Sequence, residues 1–215
     1  KDLYTAKLYT ILESKIDVLN LNSLPKNCVI KTNHGWADII IVKDNKIKQM
    51  YARGTKMEPE INNYKLWKKI VLKKYKTKYE PHYQYLTPTI FVEEYLGDNL
   101  IDYKIYCIYG KTVLIQIHSA LNDKCLNYYD TNLKFINIEG KYSHCKKELE
   151  IKKLKEINKL LKISEVLSKK FEFVRTDFYI IKDKIYFGEF TFIPSGGNSY
   201  FNPISFDYKL SKNWD

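Results

Sequence analysis

The chain of 215 residues reads as an α+β protein built on antiparallel strands, and three observations carry that reading. The stretch from Phe173 to Ile193 holds two runs of aromatic and β-branched residues around Lys182-Asp183-Lys184, the pattern of a β-hairpin. Cys28 to Lys31 and Ile39 to Lys43 read as two more strands joined by a loop. Residues 59–75 and 147–171 carry apolar side chains at helical spacing. With 45% hydrophobic residues the chain can bury a substantial core, as one domain or two small lobes.

Residues 2–15 are expected to form a helix, capped by Asp2, with Leu3, Ala6, Leu8, Ile11 and Leu12 as its apolar stripe. Asn20 to Asn27 is a loop, and the strand Cys28–Lys31 leads into Thr32-Asn33-His34-Gly35-Trp36-Ala37-Asp38. With Lys31 at its entry and Gly35 in its tip, that loop could wrap an anion with backbone N–H groups and one ammonium; an ordinary hairpin connection is the alternative. In the helix of residues 59–75, Ile61, Tyr64, Trp67, Ile70, Val71 and Tyr75 form a buried stripe under a solvated lysine face. Residues 90–96, 102–109 and 112–118 are strands, and Asp102 and Lys104 share a face with Tyr106. The helix of residues 147–171 is scaffold, and the opening hairpin follows it.

The hairpin is where chemistry first shows. A three-residue loop makes pairing symmetric about Asp183, so Asp177 lies opposite Glu189 and Arg175 opposite Thr191, all on one face. Val174, Phe178, Ile180, Tyr186, Phe190 and Phe192 then form the core face. Two carboxylates facing each other across a strand pair repel unless a cation sits between them. A divalent metal is one candidate, and a solvent-facing acid pair balanced by Arg175 is the other.

The formal charge of +11 suits an anionic partner without choosing one. Cys28, Cys107, Cys125 and Cys145 lie far apart without C-x-x-C spacing and are expected as buried, reduced thiols of a cytoplasmic protein, with zinc bound through His118 or His144 the alternative. No apolar run approaches the ~18 residues of a membrane span.

Four phrases in order, Val29-Ile30-Lys31 before the His34-Gly35 loop, Val92-Glu93-Glu94-Tyr95-Leu96, Asp102-Tyr103-Lys104, and Arg175-x-Asp177 with Phe187-Gly188-Glu189-x-Thr191-Phe192, resemble the TupA-like branch of the ATP-grasp superfamily. The resemblance implies an ATP-grasp fold: two α+β lobes whose antiparallel sheets sandwich the nucleotide, with the N-terminal lobe reduced or missing. It divides a single domain of residues 1–215 into a smaller lid lobe at 22–96 and a larger catalytic lobe at 1–21 and 97–215. By resemblance, Lys31 contacts the ATP phosphates, with His34 and Gly35 in the loop closing over them. Glu93, Glu94, Tyr95 and Leu96 form the hinge that meets adenine, and Asp102 and Lys104 sit near the ribose and phosphates. Asp177 and Glu189 hold one or two Mg²⁺ ions, and Thr191 stands where many members have Asn. Arg175 shares their face and is placed to grip a carboxylate or acyl phosphate bidentately.

The implied activity is ATP-dependent ligation of a carboxylate, borne by a uronic acid of a cell-surface or capsular polysaccharide, to an amine such as an amino acid. A kinase acting on a glycan hydroxyl is a second enzyme reading. A non-catalytic basic module for nucleic acid or acidic glycan is the reading of a different class, nucleic acid being the less expected partner, and peripheral membrane contact is compatible with the charge. The family's glycine-rich loop departs here to Trp36-Ala37.

Overall fold

The computed structural model describes residues 3–12, 18–73, 80–119, 125–140, 144–145 and 155–214. Its strands are β1 (Tyr4–Thr5), β2 (Leu8–Leu12), β3 (Cys28–Thr32), β4 (Ile39–Lys43), β5 (Lys46–Ala52), β6 (Thr55–Met57), β7 (Ile90–Glu94), β8 (Ile101–Ile108), β9 (Lys111–Ser119), β10 (Cys125–Tyr129), β11 (Phe135–Ile136), β12 (Phe173–Ile181) and β13 (Lys184–Thr191). Among the described residues the α-helices are α1 (Tyr64–Val71), α2 (Ile157–Ser168) and α3 (Ser205–Ser211). The chain divides into two compact units, Ala6–Leu96 and Lys1–Thr5 with Gly97–Asp215.

The smaller unit is a six-stranded antiparallel sheet in the order β2-β7-β3-β4-β5-β6. Its core gathers Ile30, Ile40, Val42, Met50, Ile90 and Val92 from the sheet and Tyr64, Trp67 and Val71 from α1. Trp67 buries its ring fully and still satisfies its indole N–H, which donates to the Tyr51 carbonyl at 2.7 Å. The expected helix over residues 59–75 is shorter, a 3₁₀ turn at Ile61–Asn63 leading into α1, and its faces depart at two positions: Ile61 is exposed and Lys68 is buried; residues 74–79 lie outside the described residues.

The larger unit is a seven-stranded sheet in the order β1-β13-β12-β8-β9-β10-β11, antiparallel except where β1 runs parallel to β13. Tyr103, Ile105, Cys107, Ile115, Ile117, Phe178 and Ile185 form one face of it, covered by Ile157 and Leu160 of α2. On the other face Phe206 of α3 packs with Leu114, Leu126 and Tyr128, and the polar residues described below occupy the adjoining strands.

Three expectations change. The helix over residues 2–15 is instead the strands β1 and β2, with residues 1–2 and 13–17 outside the described residues. Pairing with β13 and β7 overrides the apolar spacing, and Leu8 and Ile11 are exposed rather than inward. Because β2 joins β7, the segment from Ala6 belongs with the smaller unit and not, as the division at residue 22 had it, with the larger. Cys125 and Cys145, expected as reduced thiols, form a disulfide. Leu126 of β10 bridges to His144, and Asn127 Oδ1 accepts the Cys145 N–H, which together bring the two sulfurs to one place. Cys28 and Cys107 are free and buried, and burial raises the Cys28 thiol pKa to about 11.

The β12–β13 hairpin keeps the expected pairs Asp177↔Glu189 and Arg175↔Thr191 but reaches them by a different path. The turn has two residues, Lys182 and Asp183, both left-handed (φ 47° and 60°), and Gly188 is an extra bulged residue. A shorter turn and a bulge offset each other at Glu189. Between them the faces swap: Ile185 and Phe187 join the core, and Tyr186, assigned to the core face, pairs with Tyr179 instead. Gly188 suits the bulge because a Cβ there would lie 3.2 Å from the Asp177 carbonyl. Since Lys182 and Asp183 both bear a Cβ in the left-handed region, replacing them with Asn-Gly is expected to stabilise the protein by about 1 kcal/mol, read from the urea midpoint at constant m-value.

Candidate active site

In the larger unit the register of four strands lays the candidate residues out in rows on one sheet face. Glu189 of β13, Asp177 of β12, Lys104 of β8 and Gln116 of β9 stand side by side. Alongside them run Thr191, Arg175, Tyr106 and Leu114. The pairs Tyr186↔Tyr179 and Asp102↔His118 complete the pattern. Alternation along a strand puts these residues on one face and Ile105, Cys107 and Phe178 on the opposite one.

Asp177 is the centre of this face and is 2% exposed. Arg175 grips it from β12 with Nε on Oδ1 and Nη2 on Oδ2, both at 2.7 Å, while Lys104 Nζ reaches Oδ2 at 2.6 Å. A carboxylate taken out of water this far needs such a set of charged donors around it. Lys104 also lies 3.1 Å from Asp102 Oδ2, and His118 Nδ1 is 3.9 Å from the same oxygen. Burial disfavours the Lys104 charge, but Asp177 and Asp102 outweigh it and raise its pKa. Burial likewise pushes the Asp102 carboxyl up, yet His118 and Lys104 hold it below its ordinary value. Burial and the nearby acids Asp102, Glu189 and Asp177 push the Tyr179 phenol well up.

At the edge of the face the Arg175 guanidinium donates to Thr191 Oγ1 at 2.9 Å, and Thr191 Oγ1 lies 3.3 Å from Glu189 Oε1. Glu189 keeps 63% of its side chain open. The protein crowded around its carboxylate and the charge of Asp177 raise its pKa, with Lys104 and Arg175 opposing. Three acids therefore face two permanent cations, Lys104 and Arg175. Among the described residues no cluster of three or more His, Cys, Asp or Glu side chains has the geometry of a metal cage. The donor types of Asp177, Glu189 and Thr191, two carboxylates and a hydroxyl, are nonetheless those that Mg²⁺ accepts when phosphate and water fill its remaining positions. Arg175, expected to grip a carboxylate or acyl phosphate bidentately, turns its Nε and Nη2 to Asp177.

The remaining candidates belong to the smaller unit. Lys31 of β3 pairs with Glu93 of β7. Glu94 accepts the Lys7 N–H at 3.2 Å, and Lys43 lies over the Tyr95 ring at 5.0 Å. Leu96, which ends this unit, is half-buried. The ring of His34, a candidate ligand for the nucleotide, is fully buried beside Asn33 Oδ1 at 3.1 Å, so it does not reach the surface of the unit. Burial and Arg53 lower its pKa. Gly35 has φ 78°, and a Cβ there would collide with the Arg53 guanidinium. Sequence reading missed Tyr179, Gln116 and Arg53, and offered His118 only as a zinc ligand. The first was within reach, since Tyr179 is two residues beyond Asp177 and so on its face; the others depend on strand neighbours distant in sequence.

The sequence model of the family described as TupA-like ATPgrasp matches residues 9–214. No curated protein matches the chain. Among solved structures, D-alanine–D-alanine ligase from Bacillus anthracis is similar at 17% identity and TM-score 0.48, covering 98% of this chain and 60% of that one. Its complex with ATP gives 15%, 0.44, 89% and 48%. The Helicobacter pylori enzyme gives 14%, 0.41, 90% and 50%. The chain thus spans about half to three-fifths of the length of these ligases, and likeness this distant bears on neither substrate nor chemistry.

Opposite stability effects are expected at the two ends of this face. Arg175→Met strips the donors from a buried carboxylate and should cost about 3 kcal/mol in urea denaturation. Glu189 has a raised pKa, so its contribution to stability falls as pH climbs upward from the ordinary Glu range. Glu189→Gln should abolish that fall and leave stability at neutral pH equal to or above wild type, measured by thermal denaturation across pH.

Proposed function

Since the chain belongs to the TupA-like ATP-grasp family, we propose that it is an ATP-dependent carboxylate–amine ligase, with a uronic acid of a cell-surface polysaccharide as the carboxylate and an amino acid or similar amine as the acceptor. The observation that carries this reading is the row Glu189, Asp177, Lys104 with Arg175 beside it, an alternation of acids and cations on one rigid sheet face. Transfer of the γ-phosphoryl group to a carboxylate brings anions together, so positioned cations and fixed geometry are what the protein must supply. The carboxylate becomes an acyl phosphate with release of ADP; the amine then attacks the acyl carbon and expels phosphate. No side-chain nucleophile is required.

Within the larger unit, Asp177 and Glu189, with Thr191 adjoining, are the residues that would hold Mg²⁺, which when bound neutralises phosphate oxygens. Lys104 bridges Asp177 and Asp102 and is the cation of the face that serves the phosphoryl group. Its amine turns from the two acids toward the transferred phosphoryl group, and Asp102 and His118 keep it within reach. Arg175 holds both oxygens of Asp177 in place, which makes it a positioning residue for the metal ligand. Within the smaller unit, Lys31 takes the α/β-phosphates in exchange for Glu93, the backbone of residues 93–96 meets adenine, and the loop of residues 33–38 covers the phosphates with its N–H groups. Among the described residues no helix is long and apolar enough to cross a membrane, and contact with a glycan at a membrane surface is left to the basic exterior.

ADP release should require both a uronic acid and an amine, and the product should contain an amide. ADP formed with a saccharide alone would make the protein a kinase. Asp177→Asn and Glu189→Gln should each lower turnover by on the order of 100-fold or more while the protein remains folded. Salt-dependent binding of nucleic acid or acidic glycan with no ATP turnover in the wild-type protein would overturn the enzyme reading.

A further inference from the structure

The loop of residues 33–38 has a single glycine, Gly35, and is tied down at both ends. Asn33 is anchored to the segment before β7: its N–H donates to the Thr89 carbonyl at 3.1 Å, its Nδ2 to the Thr87 carbonyl at 2.9 Å, and its Oδ1 accepts the Thr89 N–H at 2.9 Å. Asp38, at the other end, is 5% exposed and is met from two sides by Arg53, the first residue of the β5–β6 turn. The Arg53 backbone N–H donates to Asp38 Oδ1 at 2.6 Å, and Nη1 lies 3.2 Å from Oδ2. From the same guanidinium, Nη2 donates to the carbonyls of Val71 at 3.2 Å and Lys73 at 2.8 Å, where α1 ends. The middle of the loop rests on the same turn: Ala37, itself left-handed at φ 52°, accepts the Gly54 N–H at 3.4 Å, and the Trp36 ring fits against Gly54 so closely that a Cβ there would overlap it.

One guanidinium therefore joins a buried acid of the loop to the electronegative end of a helix, where backbone carbonyls lack intrahelical partners. Its charge is answered by Asp38, so Arg53 is not a phosphate ligand. What it supplies is shape. A loop with few glycines that still holds left-handed residues costs conformational energy to arrange, and anchoring it beforehand removes that cost from ligand binding.

We propose that Arg53 is a positioning residue for nucleotide binding: it clamps Asp38 against the end of α1 and so presets the backbone of residues 33–38 for a phosphate group. The proposal rests on the reading of this loop as the phosphate-binding loop. Its test compares wild-type protein with Arg53→Ala and Arg53→Lys by amide hydrogen exchange and by titration calorimetry with Mg-ATP. In Arg53→Ala, the amides of residues 33–38 should exchange about tenfold faster while those of β3 and β4 stay protected, Mg-ATP should bind about tenfold more weakly, and millimolar guanidinium should restore part of the affinity. Arg53→Lys, which keeps the charge but not the fork, should fall between and serves if the alanine variant does not fold. Exchange that is unchanged, or that rises equally in β3 and β4, overturns the proposal, as does wild-type affinity with a loosened loop. A wild-type protein that binds no Mg-ATP overturns the functional reading, while loosening confined to residues 33–38 in Arg53→Ala would still uphold Arg53 as the anchor of the loop.

Discussion

Asp177 is buried in the middle of a β-sheet, where Arg175 grips both its oxygens and Lys104 reaches one of them. The larger unit is arranged to make this tolerable. Antiparallel register puts Lys104 directly beside Asp177 from β8, and two-residue alternation brings Arg175 onto the same face from Asp177's own strand. The opposite face is almost entirely apolar and covered by α2, so the strands cannot slip by one residue without driving Asp177, Lys104 and Arg175 into the core. The charge cluster and the core thus specify the same register from opposite sides of one sheet.

That consistency explains how much of the site was legible from sequence. Asp177, Glu189, Arg175 and Thr191 could be placed on one face because they lie symmetrically about Asp183, and the structure holds them there. The route was legible only in sum. A left-handed two-residue turn and a bulge at Gly188 each shift the register by one, and nothing in Lys-Asp-Lys distinguishes that pair of shifts from a plain three-residue loop; Tyr186 and Phe187, which lie between them, were exchanged for this reason. The N-terminal strands were misread because Leu8 and Ile11 recur at helical spacing by accident, while β7 and β13, the strands that capture the segment, are remote in sequence. The Cys125–Cys145 disulfide was hidden likewise, since it depends on β10 meeting a segment 20 residues away.

The two units illustrate different ways of holding charge in readiness. On the polar face of the larger one, the acids Asp102, Asp177 and Glu189 outnumber the cations Lys104 and Arg175, and Glu189, the most exposed of the three, has a raised pKa: the face is arranged at some cost in stability, as expected of groups kept for a ligand. In the smaller one, Asp38 and Arg53 are matched and enclosed, and the positions around them serve loop geometry. Lys31, paired with Glu93 near the surface, can exchange its partner at little cost.

In the proposed reaction the Asp177–Glu189 face binds a metal nucleotide, and Lys104 moves from its acids to phosphate. Electron paramagnetic resonance of Mn²⁺ in place of Mg²⁺ tests it most directly. Mn²⁺ is expected to become immobilised on the wild-type protein when ATP is added, and Asp177→Asn or Glu189→Gln to abolish most of this signal. An Mn²⁺-ATP signal of undiminished size in the variant lacking both carboxylates would contradict it.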